Sequence, residues 1–124
     1  MPLSAGEKVN MKDLVGAMLV MSGNEAANAI AEYLSGSIEA FADLMNQTAQ
    51  MLGCSSDTHF ANPSGVHDDN HYTTARDLAI IAQEAMKDDL FREIVSKPCG
   101  KIMYPILFFG RREDAYVRIF CRRL

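Results

Sequence analysis

The chain has 124 residues, 48% of them hydrophobic, and a net charge of −4, so it can bury one small core and lacks the positive balance of a nucleic-acid binder. No apolar run approaches the roughly 18 residues of a membrane span, and Met1-Pro2-Leu3-Ser4-Ala5-Gly6-Glu7-Lys8 has neither the charged nor the apolar region of a signal peptide. As written, the chain is expected to remain in the cytoplasm. The three cysteines, Cys54, Cys99 and Cys121, are odd in number and lack C-x-x-C spacing, which points to neither a disulfide framework nor a zinc site.

In chain order the pattern is helical with clear punctuation. Asn10 suits the cap of a first helix, with Asp13 in its first turn; Leu14, Val15, Met18 and Leu19 begin its apolar surface, and from residue 17 to 21 it is apolar all round, the mark of a buried helix. A second helix is expected over about 23–34, with Ala26, Ala27, Ile30, Ala31 and Leu34 on one face and Gly36 at its end. Ser37 caps a third, in which Ile38, Phe41, Leu44, Met45, Thr48 and Leu52 recur at three and four residues until Gly53.

Residues 54–72 show no periodicity, and Asn62-Pro63-Ser64-Gly65 is turn chemistry, so this stretch reads as one long loop of the kind that is usually functional or disordered. Thr74 and Asp77 have the spacing of a capping box, opening a helix that should bury Leu78, Ile81, Ala82, Ala85 and Met86. A short helix follows near 89–95. After Ser96 the character changes: residues 1–95 hold 5 Lys+Arg and 14 Asp+Glu, a balance of −9, whereas residues 96–124 hold 7 and 2, a balance of +5. Lys97-Pro98-Cys99-Gly100 marks the break, and an apolar, aromatic and then basic run follows. The expectation is a divergent tail from a shifted frame, a fusion or a damaged gene, with an ordinary strand pair as the alternative.

The stretch that carries chemistry is Ser22-Gly23-Asn24-Glu25, where the apolar run meets an alanine-rich one. Ser22 and Glu25 have capping-box spacing, which needs no chemistry. A hydroxyl and a carboxamide two residues apart at the end of a buried helix can also face one cleft together. A rival site is the group His59, His67, Asp68, Asp69 and His71, but Asp68-Asp69-Asn70 reads as a turn, which spoils the helical pairing of His67 with His71 that a metal would need.

Five blocks in register carry a resemblance: Gly6-Glu7-Lys8-Val9, Ser22-Gly23-Asn24-Glu25-Ala26-Ala27, Phe41-Ala42-Asp43-Leu44-Met45-Asn46, Thr58-His59-Phe60-Ala61-Asn62-Pro63-Ser64-Gly65-Val66 and His71-Tyr72-Thr73-Thr74-Ala75-Arg76-Asp77-Leu78-Ala79. From about residue 2 to about residue 96 the chain resembles the serine-type D-alanyl-D-alanine carboxypeptidases, the low-molecular-mass penicillin-binding proteins. That resemblance implies a mostly α chain, a helical fragment of the β-lactamase and penicillin-binding-protein α+β fold, with 1–96 as the helical part of a catalytic domain and 97–124 as the divergent basic tail.

The family shares three signatures with class A β-lactamases: Ser-x-x-Lys, Ser-x-Asn and Lys-Thr-Gly. Ser22-Gly23-Asn24 matches the second, and the other two are absent from the sequence. The resemblance implies catalytic roles for Ser22, in proton relay, and Asn24, in orienting the substrate amide. It implies a substrate-shaping role for Ser64 and Gly65, with no cofactor and no metal. The whole enzyme would remove the terminal D-alanine of peptidoglycan pentapeptides through an acyl-serine intermediate, and its partners would be the stem peptide and β-lactam antibiotics in the extracytoplasmic cell envelope. The chain by itself is expected to be inactive and, through exposed apolar surface, to self-associate. The alternative is a non-catalytic helical interaction module or truncated remnant.

Overall fold

Local signals account for where the helices start. In the computed structural model, which describes residues 3–97 and the backbone of 116–118, Asn10 caps α1 (Met11–Met21) by accepting from the Lys12 N–H at 2.8 Å. The small-residue helix α2 (Asn24–Ser35) ends at Gly36, whose φ of 80° is a left-handed conformation open to glycine without penalty. Ser37 Oγ accepts from the Ala40 N–H at 3.1 Å to open α3 (Ile38–Met51). Thr74 Oγ1 accepts from the Asp77 N–H at 3.1 Å to open α4 (Ala75–Ala85), and Asp88 accepts from the Phe91 N–H at 2.8 Å to open α5 (Asp89–Val95). The helices lie within a residue or two of where their caps and periodicities predict them.

The core lies between α1 and α2. Leu14, at 0% exposure, packs with Ala17, Ala26 and Ile30, and Leu3, Val9, Met11, Val15 and Met18 close around them. The alanines of α2 permit the close approach that buries them. α3 packs on α2 from the other side, and α5 lies along α1, where Lys12 Nζ meets Glu93 at 3.1 Å. Both side chains are half exposed, so this pair adds little stability.

Two segments form strands: one near the N-terminus that the sequence pattern does not mark, and one in the tail, for which an ordinary strand pair is the alternative expectation. β1 (Lys8–Asn10) pairs antiparallel with β2 (Tyr116–Arg118), in the register Lys8 with Arg118, Val9 with Val117 and Asn10 with Tyr116. The remainder of the basic tail lies outside the described residues.

Burial departs from expectation in two places. α1 is not buried all round: Leu19 and Met21 are 37% and 49% exposed, because α2 and α5 cover only one side of it. On α4 the expected core stripe is largely uncovered, with Leu78, Ala82 and Met86 exposed and Ile81 and Ala85 half-buried; Asp77 is its buried residue. Leu78 and Ile81 instead line an apolar groove of about 400 Å³ shared with Phe41, Leu44, Met45 and Leu52 of the α3 side. Among the described residues no helix is long and apolar enough to cross a membrane.

Candidate active-site segments

At the junction between α1 and α2 the N-cap position is held by Gly23, which has no side chain to cap with. Ser22 terminates α1 in the left-handed region (φ 53°, ψ 43°), with its backbone N–H directed to the Ala17 carbonyl, and the Gly23 N–H reaches the same carbonyl at 3.1 Å. Gly23, in an extended conformation, is therefore the residue before α2, and that helix receives no side-chain cap. The capping box expected from Ser22 and Glu25 is overturned: a capping serine must be extended so that its oxygen turns back over the helix, and Ser22 is curled the other way.

Left-handed backbone at a non-glycine residue costs of order 1–3 kcal/mol and is found chiefly where the surroundings impose it. Here the end of α1 does so: the Ser22 and Gly23 N–H groups both turn back to the Ala17 carbonyl, a bonding pattern that requires a left-handed residue at this position. A Cβ on Gly23 would stand 3.3 Å from the Ala17 carbonyl oxygen and 3.5 Å from the Ala26 Cβ, so a side chain there would press the two helix ends apart by a few tenths of an ångström. The result is a tight corner that presents Ser22 and Asn24, both exposed, two residues apart at the end of one helix and the start of the next.

The second candidate segment, residues 54–74, is tied down by side chains from both flanking helices. From α3, Asn46 forms a paired amide contact with Phe60: its Oδ1 accepts from the Phe60 N–H at 2.7 Å and its Nδ2 donates to the Phe60 carbonyl at 2.9 Å. From α4, the Asp77 Oδ2 accepts from the Ser55 hydroxyl at 2.6 Å, the Thr58 hydroxyl at 2.6 Å and the Ser55 N–H at 3.1 Å. These bonds, that from Ser55 foremost and then Thr58, hold the Asp77 carboxyl down at about 2 against the opposing effect of its burial. Asp77 thus forms only half of the expected capping box: its N–H is capped by Thr74, but its carboxylate faces the loop. Beside it, burial first and the Asp77 charge second push the Cys54 thiol up.

Above this neck, His59 and Tyr72 exchange backbone bonds of 2.8 and 2.9 Å, closing the segment like a hairpin. At its tip Asn62 Oδ1 accepts from the Gly65 N–H at 2.8 Å and the Ser64 hydroxyl at 3.2 Å, while Asn62 Nδ2 donates to the Val66 carbonyl at 2.8 Å. Gly65 sits at φ 75°. Ser64 and Gly65 are therefore brought together in one turn organised by Asn62, whereas Ser22 and Asn24 stand on a separate support.

The histidines of the loop are engaged locally. The proton of His59 lies on Nδ1, because it donates to the Asn70 carbonyl at 2.6 Å, and His71 Nδ1 accepts from the Ala61 N–H at 3.2 Å. His67 and Asp69 are 90% and 99% exposed at their side chains, and the turn expected at 68–70 is present, with the Asn70 N–H on Asp68 Oδ1. Among the described residues no three such side chains converge. Sequence reasoning missed Asn46 and the loop-facing role of Asp77; both depend on partners fourteen or more positions away.

Ser-x-Asn at a helix junction in a mostly helical chain fits a portion of the penicillin-binding-protein fold, and comparison with known proteins places the chain there. The family model described as D-alanyl-D-alanine carboxypeptidase (Peptidase S11) matches residues 1–102; the chain belongs to that family. It is 41% identical over 85 residues to the D-alanyl-D-alanine carboxypeptidase DacF of Bacillus subtilis, covering 68% of this chain and 22% of the relative. It is 38% identical over 86 residues to DacA of Escherichia coli K12, covering 69% and 21%. The chain thus spans about a fifth of the length of these relatives.

Among solved structures it is similar to the D-alanyl-D-alanine carboxypeptidase DacD of Francisella tularensis (TM-score 0.69, 47% identity, 76% of this chain and 22% of that one). It is similar also to penicillin-binding protein D2 of Listeria monocytogenes in its cefotaxime-bound form (TM-score 0.65, 26% identity, 94% and 53%).

Proposed function

We propose that this chain supplies the Ser-x-Asn part of a serine-type carboxypeptidase that removes the terminal D-alanine of peptidoglycan pentapeptides. The observation that carries the reading is the conformation of Ser22. Its hydroxyl is exposed and caps nothing, on a backbone held left-handed by the bonds that close α1 on the Ala17 carbonyl.

In the complete enzyme a serine nucleophile attacks the carbonyl carbon of the penultimate D-alanine. The bond from serine oxygen to carbon forms, the peptide C–N bond breaks, and the leaving amine takes up a proton. Ser22 relays that proton, and Asn24 orients the substrate amide. Water then attacks the acyl-serine, releasing the shortened peptide and regenerating the serine. The turn at Ser64 and Gly65 shapes the substrate side of the cleft. β-Lactams would acylate the same nucleophile, and the reaction belongs to the cell envelope, where the stem peptide lies. Residues 1–96 form the helical part of this catalytic domain and 97–124 a divergent segment.

Neither Ser-x-x-Lys nor Lys-Thr-Gly occurs in the sequence, and a serine hydroxyl without an activating base is a weak nucleophile. These residues alone are therefore inactive, and the uncovered groove between α3 and α4 favours self-association. Intact-mass measurement after incubation with a penicillin tests the assignment: no covalent adduct is expected, and an acyl group on Ser22 or Ser64 would make one of them a nucleophile and overturn it.

A further inference from the structure

Asp77 is the one polar residue in the described core, 2% exposed, and the chemistry proposed above makes no use of it. Three hydrogen bonds reach its Oδ2 from the neck of the 54–74 segment, through Ser55 and Thr58, and the Thr74 hydroxyl adds a lesser contact. Thr58 has a single hydroxyl proton, committed to Asp77, so its oxygen accepts from Thr73 at 2.9 Å, and one carboxylate joins the outgoing and returning limbs of the loop. The His59–Tyr72 bridge stands immediately above this link, and the Asn62–Gly65 turn stands at the tip. The neck is anchored to α4 and Phe60 to α3, so the turn is tied to both helices despite containing almost no regular structure.

We propose that Asp77 is a positioning residue for substrate binding: through Ser55 and Thr58 it fixes the neck from which the Ser64–Gly65 turn projects into the substrate cleft. This rests on the carboxypeptidase reading for the cleft, while the ordering of the loop by Asp77 is a property of the chain itself. The side chain touches no substrate. It acts by holding in place a binding surface that would otherwise be ordered only on encounter, at the expense of affinity.

Two measurements test it. In the full chain, amide hydrogen exchange followed by NMR should show Asp77→Asn and Thr58→Val accelerating exchange at Ser55, His59, Gly65 and Tyr72 by about 10- to 100-fold, with the α1 and α2 amides unchanged. Thr58→Ser, which keeps the donor, should restore protection. The same substitutions are then made with residues 3–96 replacing the matching segment of the Bacillus subtilis relative and assayed on an acyl-D-alanyl-D-alanine peptide. KM should rise about tenfold with kcat changed by less than about twofold, the signature of lost binding, and Thr58→Ser should restore it.

Unchanged loop exchange overturns the proposal. A loosened loop with unaltered KM also overturns it, reducing Asp77 to a structural clasp while leaving the carboxypeptidase reading intact. An unsubstituted chimera that folds but turns over no peptide refutes the carboxypeptidase reading and removes the substrate role of Asp77 with it.

Discussion

Replacing Ser22 separates a residue that supports a helix from one that the helices hold at a disadvantage. If Ser22 capped α2, its change to Ala would remove a hydrogen bond and lower stability by about 0.5–2 kcal/mol. In the structure α2 has no side-chain cap and Ser22 lies at φ 53°, so Ser22→Ala keeps the same strained backbone and loses no cap; a change within about 0.5 kcal/mol is expected, as at an ordinary surface site. Ser22→Gly removes the left-handed penalty of about 1–2 kcal/mol and adds back about 0.5–1 kcal/mol of unfolded-chain entropy. The net effect is a gain of up to about 1.5 kcal/mol. Urea unfolding followed by far-UV circular dichroism measures both, provided the slope m is unchanged between variants. A loss above about 1 kcal/mol for Ser22→Ala, together with no gain for Ser22→Gly, would refute the argument and return Ser22 to the role of a cap.

The same assay checks the packing. Leu14→Ala, at a site with 0% exposure, should lower stability by about 2–5 kcal/mol. Gly23→Val should lose about 1–3 kcal/mol by forcing α1 and α2 apart at the Ala17 carbonyl, whereas Gly16→Ala, with nothing within 4 Å of the new Cβ, should gain about 0.5–1 kcal/mol. The Asp77 carboxyl lies at about 2 in the folded chain against an ordinary 3.8. Its depressed value means that its contribution is fully present above about 3.8 and is lost as the pH falls through about 2. Loop amide protection in acid should fall across that window in the native chain, and the same step should be missing in Asp77→Asn.

The helices were legible because their determinants are local. Asn10, Ser37 and Thr74 each sit beside the amides they cap, and the three- and four-residue spacing of α3 needs no knowledge of the partner. The junction at Ser22 misled because Ser22 and Glu25 satisfy the spacing of a capping box, while the deciding fact, that the Ser22 and Gly23 N–H groups turn back to the Ala17 carbonyl, lies in how α1 ends. The stripe on α4 is genuine as a periodicity, yet periodicity does not say whether a partner covers it. The pairing of β1 with β2 joins opposite ends of the chain and leaves no local trace. Asp77 carried a true signal, its spacing from Thr74, which concealed its larger role because Ser55 and Thr58 lie about twenty positions upstream. The chemistry of Ser22 and Asn24 became legible through resemblance to a family, since the residues alone are compatible with an ordinary helix end.

The most direct test of the central claim is turnover by the Bacillus subtilis relative carrying residues 3–96 of this chain, with and without Ser22→Ala. The proton-relay role predicts a fall in kcat of about 10²–10⁴ with urea stability unchanged. Turnover within a few-fold of the unsubstituted chimera would contradict it and leave Ser22 a bystander at the junction of α1 and α2.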